Sequence, residues 1–126
     1  MKLLLDTCTF IWVLTAERPL PARVRGALET GEVYLSSVCA WEMAIKATGG
    51  KLRLIEPPDR LVPAARRRYG FAALPIDEES ALHVVKLPPL HRDPFDRMLV
   101  SQAIVHGLTI VTPDPLVTQY PARTMW

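Results

Sequence analysis

Apolar residues along this chain occur in short runs, and amphipathic stretches with a helical period separate the runs. Short runs rich in Leu, Val, Ile and Tyr predict four strands, which lie within KLLLD, EVYLS, FAALPI and LTIVTPD. The tail predicts a further short strand near 123–126. Strands that alternate with helices are typical of an α/β fold with a central, mostly parallel sheet flanked by helices.

Helical patterns fill the intervals between these strands. They are predicted in TFIWVLT, LPARVRGALETG, SVCAWEMAIKATGG, the segment after Pro57-Pro58, DEESALHVVK and PFDRMLVSQAIVHG. In the third of these helices we expect Ser37 to be the N-cap and Gly49 to end the helix. Pro63 is expected to bend the fourth helix or to start it again, because proline lacks a backbone N–H.

Length and composition narrow the picture to one domain over residues 1–126. About half of the 126 residues are hydrophobic (49%), which is enough for a core and excludes a disordered chain. The net charge of +2 does not by itself indicate nucleic-acid binding. The basic clusters at 66–68 and around Lys46, Lys51 and Arg53 are candidates for phosphate contacts, although most such clusters are solvated faces.

The cysteines and the N-terminal segment indicate the cellular location of the protein and the redox state of its thiols. Cys8 and Cys39 lack metal-ligand spacing, and we expect both to be buried small residues in a reducing cytosol. The apolar run at the N-terminus is too short for a signal segment, and no stretch is long enough to span a bilayer. A cytoplasmic protein with no membrane contact is therefore expected.

Two acids follow predicted strands. Asp6 comes directly after LLL, and Asp114 follows LTIVTP. Ligands of open parallel sheets bind beyond the carboxyl ends of the strands, so these acids would face one crevice if their strands are near neighbours. The plain alternative is that each acid only caps a helix or begins a loop.

Two more acids lie on predicted helices. Glu42 shares a helical face with Val38 and Ile45, and Trp41 is also expected toward that face. A carboxylate there is costly unless it binds a metal or pairs, for example with Lys46. Asp96 is the third residue of a helix that Asp93 would cap. The helix dipole favours an acid at this position. It does not explain why the side chain of this second acid faces the core.

One site can explain all four acids, Asp6, Glu42, Asp96 and Asp114. Carboxylates without thiol or imidazole partners select hard cations, so Mg²⁺, or alternatively Mn²⁺, is the predicted ion. Such an ion activates water for attack on a phosphodiester. Thr7, Ser37 and Thr112 are candidates for orienting the acids or waters, while the role of Arg97 stays open between a phosphate contact and a contact with a neighbouring acid.

The segments LLLDT, SVCAWEMAIKATGGKL, LPID and LPPLHRDPFDRMLVSQAIVHGLTIVTPD together resemble a PIN-domain ribonuclease, and more narrowly a VapC-type toxin of a bacterial type II toxin–antitoxin pair. The resemblance covers nearly the whole chain. It implies a PIN fold and a metal-dependent endoribonuclease in which Asp6, Glu42, Asp96 and Asp114 are the catalytic and metal-binding acids. It also implies an RNA substrate, a homodimer and a cognate VapB-type antitoxin.

Three other functions remain as alternatives. The first is a PIN-like protein that binds RNA or an antitoxin without cleavage activity. A metal-dependent phosphotransferase of another α/β fold also begins with a strand and an Asp, but the second acid of its DxDxT motif is replaced here by Cys8. A receiver domain would need a Lys after its late strand, and LTIVTPD has none. The RNA target, the antitoxin, the number of ions and the dimer interface are not indicated by the sequence.

Overall fold

The structure, a computed structural model, describes all 126 residues and is built around one five-stranded sheet. The strands in chain order are β1 (Lys2–Leu5), β2 (Glu32–Ser36), β3 (Ala72–Leu74), β4 (Thr109–Val111) and β5 (Thr124–Met125). Their spatial order is β3-β2-β1-β4-β5, and every pair is parallel. The predicted α/β class and parallel sheet are thus confirmed.

Seven helices and one 3₁₀ turn connect the strands. They are α1 (Thr7–Thr15), α2 (Ala22–Thr30), α3 (Ser37–Thr48), α4 (Pro58–Tyr69), α5 (Glu78–His83), the 3₁₀ turn Val84–Lys86, α6 (Pro94–His106) and α7 (Pro115–Thr118). The four-residue α7 was not predicted. None of the helices is long and apolar enough to cross a bilayer.

The position of β1 explains where a site can form. This strand lies at the centre of the sheet, and its three leucines are fully buried because helices cover both faces. Leu4 is paired with Tyr34 of β2 on one side and with Ile110 of β4 on the other. The carboxyl ends of β1 and β4 are therefore adjacent, and the residues that follow them lie at the same edge of the sheet.

The start of α3 differs from the prediction. Ser36, not Ser37, is the N-cap, and its hydroxyl accepts a hydrogen bond from the Val38 N–H at 3.0 Å. The same hydroxyl donates to Oε1 of the buried Gln102 at 2.6 Å. Ser36 is fully buried at the end of β2, so it satisfies both the helix start and a core amide, whereas Ser37 is the first helical residue. Gly49 ends the helix as predicted.

Pro63 neither interrupts α4 nor starts a new helix. It lies on the exposed side of the helix, and the carbonyl that loses its partner belongs to the exposed Asp59, where water can bond to it. Val62 and Ala65 are buried on the opposite side. Packing against the core therefore keeps the helix continuous.

Two side chains expected inside are exposed. Cys39 is fully buried as predicted, but Cys8 is exposed. Trp41 is 54% exposed, and its ring packs edge-on against Phe95 at 5.1 Å. The face of α3 that enters the core carries Val38, Cys39, Glu42 and Met43, which leaves Trp41 outside it.

Candidate active site

The two acids that follow strands lie next to each other in the fold. Asp6 follows β1 and is 4% exposed, and Asp114 comes shortly after β4. Each is the N-cap of the next helix: Asp6 accepts a hydrogen bond from the Thr9 N–H at 2.8 Å, and Asp114 accepts one from the Leu116 N–H at 2.9 Å. Helix capping therefore fixes the orientation of both carboxylates.

Capping does not account for the electrostatics of Asp6. Burial raises the pKa of this carboxyl above its usual value of 3.8, and the negative charge of Asp114 raises it further. Hydrogen bonds from Thr112 and Thr9 only partly oppose these effects. A buried acid beside a second acid stores unfavourable charge that a cation would relieve.

Glu42 faces inward from α3 with both oxygens engaged. It is 4% exposed, and the Thr7 hydroxyl donates to its Oε1 at 2.6 Å. Its Oε2 pairs with Nζ of Lys46, one turn further along the helix. This contact is first among the causes that raise the pKa of Lys46. The pairing with Lys46, one of the two alternatives left by the sequence, is thus present.

Asp96 occupies the third position of α6, as predicted. Asp93 is the N-cap, and its Oδ1 accepts hydrogen bonds from the N–H groups of Phe95 at 2.8 Å and Asp96 at 3.1 Å. The Asp96 side chain is 19% exposed. Burial raises its pKa to about 6, with smaller contributions from the charges of Asp93 and Glu42, while a hydrogen bond from His91 opposes the rise. A second residue already caps the helix, so capping does not explain this acid.

Cys8 connects the three innermost acids. Although much of this residue is exposed, partial desolvation raises the pKa of its thiol to about 11, and the charges of Asp6, Glu42 and Asp96 all add to the rise. The thiol therefore lies within electrostatic range of acids from three different elements. Asp114 lies near the same group, because its charge raises the pKa of Asp6. The fold thus brings all four predicted acids into one region at the carboxyl edge of the sheet.

This region suits a metal ion in the type of donor atom that it offers. Its donors are carboxylate oxygens, which hard divalent cations prefer. No three His, Cys, Asp or Glu side chains lie close enough together to hold an ion as they stand. Glu42 is instead neutralised by Lys46, which supplies the one positive charge in contact with the acids apart from any charge on His91.

Of the three residues expected to orient the acids, two do so. Thr7 donates a hydrogen bond to Glu42, and Thr112 lowers the pKa of Asp6 and accepts a hydrogen bond from the Asp114 N–H at 3.1 Å. Ser37 makes no such contact; its neighbour Ser36 bonds to Gln102.

Arg97 does not contact an acid. Its guanidinium donates to the carbonyl oxygens of Pro88 and Val84 and to the hydroxyl of Tyr120. It fixes the loop before α6, so the contact with a neighbouring acid, one of the two roles considered from the sequence, is not seen.

The arginines of the cluster at 66–68 make separate contacts. Arg66 is half-buried, donates to the Ala72 carbonyl oxygen at 3.3 Å, and has its pKa lowered by burial. Arg68 stacks over the ring of Tyr69. The three consecutive arginines therefore do not form one phosphate-binding face.

His91 is a site residue that the sequence did not single out. Its Nε2 lies 3.1 Å from Oδ2 of Asp96, and its Nδ1 lies 2.7 Å from the hydroxyl of Tyr120. The signal available in the sequence was its position five residues before Asp96, in a loop bounded by Pro89 and Pro94.

Comparison with models of protein families identifies the family of this chain. The family model described as "PIN domain" matches residues 3–121. The chain belongs to the PIN-domain family. PIN domains are generally nucleases and typically use divalent metals. The family drawn from the sequence motifs is thereby confirmed. No curated protein matches the chain in sequence.

Solved structures with the same fold include several toxin–antitoxin complexes. VapBC2 from Rickettsia felis bound to a promoter DNA fragment is 14% identical, with a TM-score of 0.74 over 100% of this chain and 99% of the other. DNA-bound VapBC from Salmonella typhimurium is 23% identical, with a TM-score of 0.69 over 99% and 97%. VapBC-1 from nontypeable Haemophilus influenzae is 20% identical, with a TM-score of 0.71 over 99% and 97%. At these identities the likeness concerns the fold.

Proposed function

We propose that this PIN domain, residues 1–126, is the toxin of a type II toxin–antitoxin pair and a metal-dependent endoribonuclease. Asp6, Glu42, Asp96 and Asp114 would hold Mg²⁺ or Mn²⁺. The observation that carries the proposal is the placement of acids from two strand ends and two helices at one edge of the sheet, where Asp6 and Glu42 are each 4% exposed. The charge of Asp114 raises the pKa of Asp6, and the charge of Glu42 raises the pKa of Asp96. Titratable groups with raised pKa values in one crevice are typical of functional sites.

The chemistry follows from what these residues can do. A bound divalent ion would make water a nucleophile and stabilise negative charge on a phosphodiester. Asp96 has one oxygen on His91 and the other without a hydrogen-bond partner in the protein, so it is the most available ligand. Thr7 and the N–H groups at the starts of α1 and α7 hold Glu42, Asp6 and Asp114 in place. Lys46, paired with Glu42, is close enough to the acids to contact a phosphate.

No three acids are at ligand spacing, so more than two of them would hold one ion only if their side chains moved closer together. Lys46 already balances the charge of Glu42, so a metal ion that bound Glu42 would replace Lys46 as its partner. The Lys46 side chain is 42% exposed, so it is free to turn toward solvent or a phosphate when an ion arrives.

The partners are proposed on the same basis. The solved structures of this fold named above are VapBC complexes, which supports a VapB-type antitoxin for this chain. A homodimer is proposed from the exposed apolar side chains Trp41 and Ile45, which lie one turn apart on α3 and are 54% and 46% exposed. Charge steering of RNA would come from single cations around the site, since Arg66–Arg68 do not form a common face.

Two alternatives are distinguished by chemistry. A PIN-like protein that binds RNA or antitoxin without cleavage needs no acid at position 96. A phosphotransferase needs a general acid two residues after Asp6, where this chain has Cys8 with a thiol pKa of about 11. The acids themselves favour the nuclease.

The test is cleavage of total cellular RNA by purified protein freed of any antitoxin, with Mg²⁺, Mn²⁺ or a chelator. Asp96→Asn removes the proposed ligand. Asp93→Asn is the matched control, because it changes the neighbouring acid of the same motif and Asn caps helices as well as Asp does. We expect discrete metal-dependent fragments from the wild type and Asp93→Asn, and none from Asp96→Asn. Equal cleavage by both variants, or cleavage in chelator, would contradict the proposal.

A further inference from the structure

A chain of hydrogen bonds ends on the Asp96 carboxylate. It begins at Arg97, whose Nη1 lies 2.9 Å from the hydroxyl oxygen of Tyr120. The Tyr120 hydroxyl lies 2.7 Å from Nδ1 of His91, and Nε2 of His91 lies 3.1 Å from Oδ2 of Asp96. Tyr120 is 3% exposed and the His91 side chain is 11% exposed, so the hydrogen bonds between Arg97 and the Asp96 carboxylate are shielded from water.

The direction of the protons in this chain can be deduced. A guanidinium only donates, so the Tyr120 oxygen accepts from Arg97 and its own single proton remains free to donate. The atom in reach of that proton is Nδ1 of His91, which accepts it in the neutral imidazole. The imidazole proton then resides on Nε2 and is donated to Asp96. Every bond in the chain therefore points toward the carboxylate.

The effect on Asp96 is specific to one of its oxygens. His91 is the only hydrogen-bond partner of this carboxylate, and it contacts Oδ2. Oδ1 is left for another ligand, and the plane of the carboxylate is fixed by a ring that packs against Tyr120 with centroids 5.4 Å apart. Arg97 holds the loop that carries His91 through its bond to the Pro88 carbonyl oxygen at 2.9 Å.

We propose that His91 is a positioning residue for the metal ligand Asp96: fixed as the Nε2–H tautomer by Tyr120 and Arg97, it occupies Oδ2 and presents Oδ1 to the ion. This role rests on the proposed function, in which Asp96 binds a divalent cation. Groups that orient metal ligands typically contribute 10–100-fold to metal affinity, about the size of effect expected here.

The first experiment measures Mn²⁺ affinity by titration with electron paramagnetic resonance detection, without RNA. His91→Phe keeps an aromatic ring against Tyr120 but has no donor. His91→Gln is the conservative rescue, because its amide nitrogen reaches the place of Nε2. We expect Mn²⁺ affinity to fall by about 10–100-fold in His91→Phe and to be largely restored in His91→Gln. With RNA, two quantities are compared between His91→Phe and the wild type: the Mn²⁺ concentration for half-maximal cleavage, and kcat at saturating Mn²⁺. The factor by which the first rises should be larger than the factor by which the second falls. A general structural defect would not produce this difference.

The second experiment uses the unaltered protein, so it does not depend on any variant folding. The ¹⁵N shifts of the His91 ring should show a protonated Nε2 and an unprotonated, accepting Nδ1. A proton on Nδ1 in the neutral ring would overturn the inference, as would folded His91→Phe that binds Mn²⁺ like the wild type while Asp96→Asn does not. Unchanged Mn²⁺ binding in Asp96→Asn would instead overturn the metal site itself, and the positioning role with it.

Discussion

Replacing Asp96 by Asn should stabilise the folded protein at neutral pH when no divalent cation is present. The carboxyl has a pKa of about 6 in the fold against an ordinary value of 3.8, because burial and the charges of Asp93 and Glu42 disfavour its ionised form. A folded-state pKa above the unfolded one means that the folded protein loses stability as pH rises from about 4 to about 6. Above that range the full penalty is present, and the neutral amide does not incur it.

The size of the effect can be bounded. One pKa unit corresponds to about 1.4 kcal/mol, so the rise from 3.8 to about 6 corresponds to about 3 kcal/mol at most. The side chain is 19% exposed, and solvent screening reduces this value. Loss of a favourable acid at a helix N-terminus removes about a further 0.5 kcal/mol. A net gain of about 1–2 kcal/mol is expected, which is a rise in Tm of about 3–8 °C for a domain of this size.

The assay is thermal unfolding followed by circular dichroism, with chelator, at pH 7.5 and at pH 4. The advantage of Asp96→Asn should be present at pH 7.5 and largely gone at pH 4, where the wild-type carboxyl is protonated in the fold. Mn²⁺ at 100 times its Kd should stabilise the wild type by about 2.7 kcal/mol and Asp96→Asn much less. A variant that is no more stable than the wild type at pH 7.5, or equally advantaged at both pH values, would refute the reasoning.

Three further predictions concern the surroundings of the site. Lys46→Met leaves the buried Glu42 carboxylate with Thr7 as its only partner, and should lower the free energy of unfolding in chelator by about 1–2 kcal/mol. This is less than for a fully buried pair, because the Lys46 side chain is 42% exposed. Unchanged unfolding in denaturant would argue against the pair. Ser36→Ala should cost about 2 kcal/mol by removing the helix cap and the bond to Gln102, whereas Ser37→Ala should cost almost nothing, and equal losses would contradict the assignment of the cap. Ile45→Glu should convert the proposed homodimer to a monomer in sedimentation, and a persisting dimer would place the interface elsewhere.

The elements of the fold were largely predictable because each has a strong local signal. The strands are short apolar runs, and the helix after Asp93-Pro94 begins and ends where its cap and Gly107 indicate. The sequence placed Glu42 on an apolar helix face, which agrees with its burial, whereas the burial of Asp6 was not predicted. The family resemblance selected the same acids, and the fold brings them to one edge of the sheet.

The remaining features depend on contacts between distant segments. The position of His91 five residues before Asp96 is visible in the sequence, but its contact with Tyr120 forms only when the C-terminal segment folds against it. Two adjacent serines are equivalent caps in sequence, and the choice of Ser36 depends on Gln102, 66 positions away. Helical spacing wrongly indicated that Trp41 faces the core, and Cys8 was wrongly expected to be buried as a small residue, because neither signal shows which face of a helix the rest of the fold covers.

The most direct test of the account is a crystal structure of this protein grown with Mn²⁺ and measured for anomalous scattering. The account predicts a peak at ligand distance from Oδ1 of Asp96 and from at least one other of the four acids, with Oδ2 still bonded to His91. A protein crystallised in saturating Mn²⁺ with no peak among Asp6, Glu42, Asp96 and Asp114, or with the ion bound elsewhere, would contradict it.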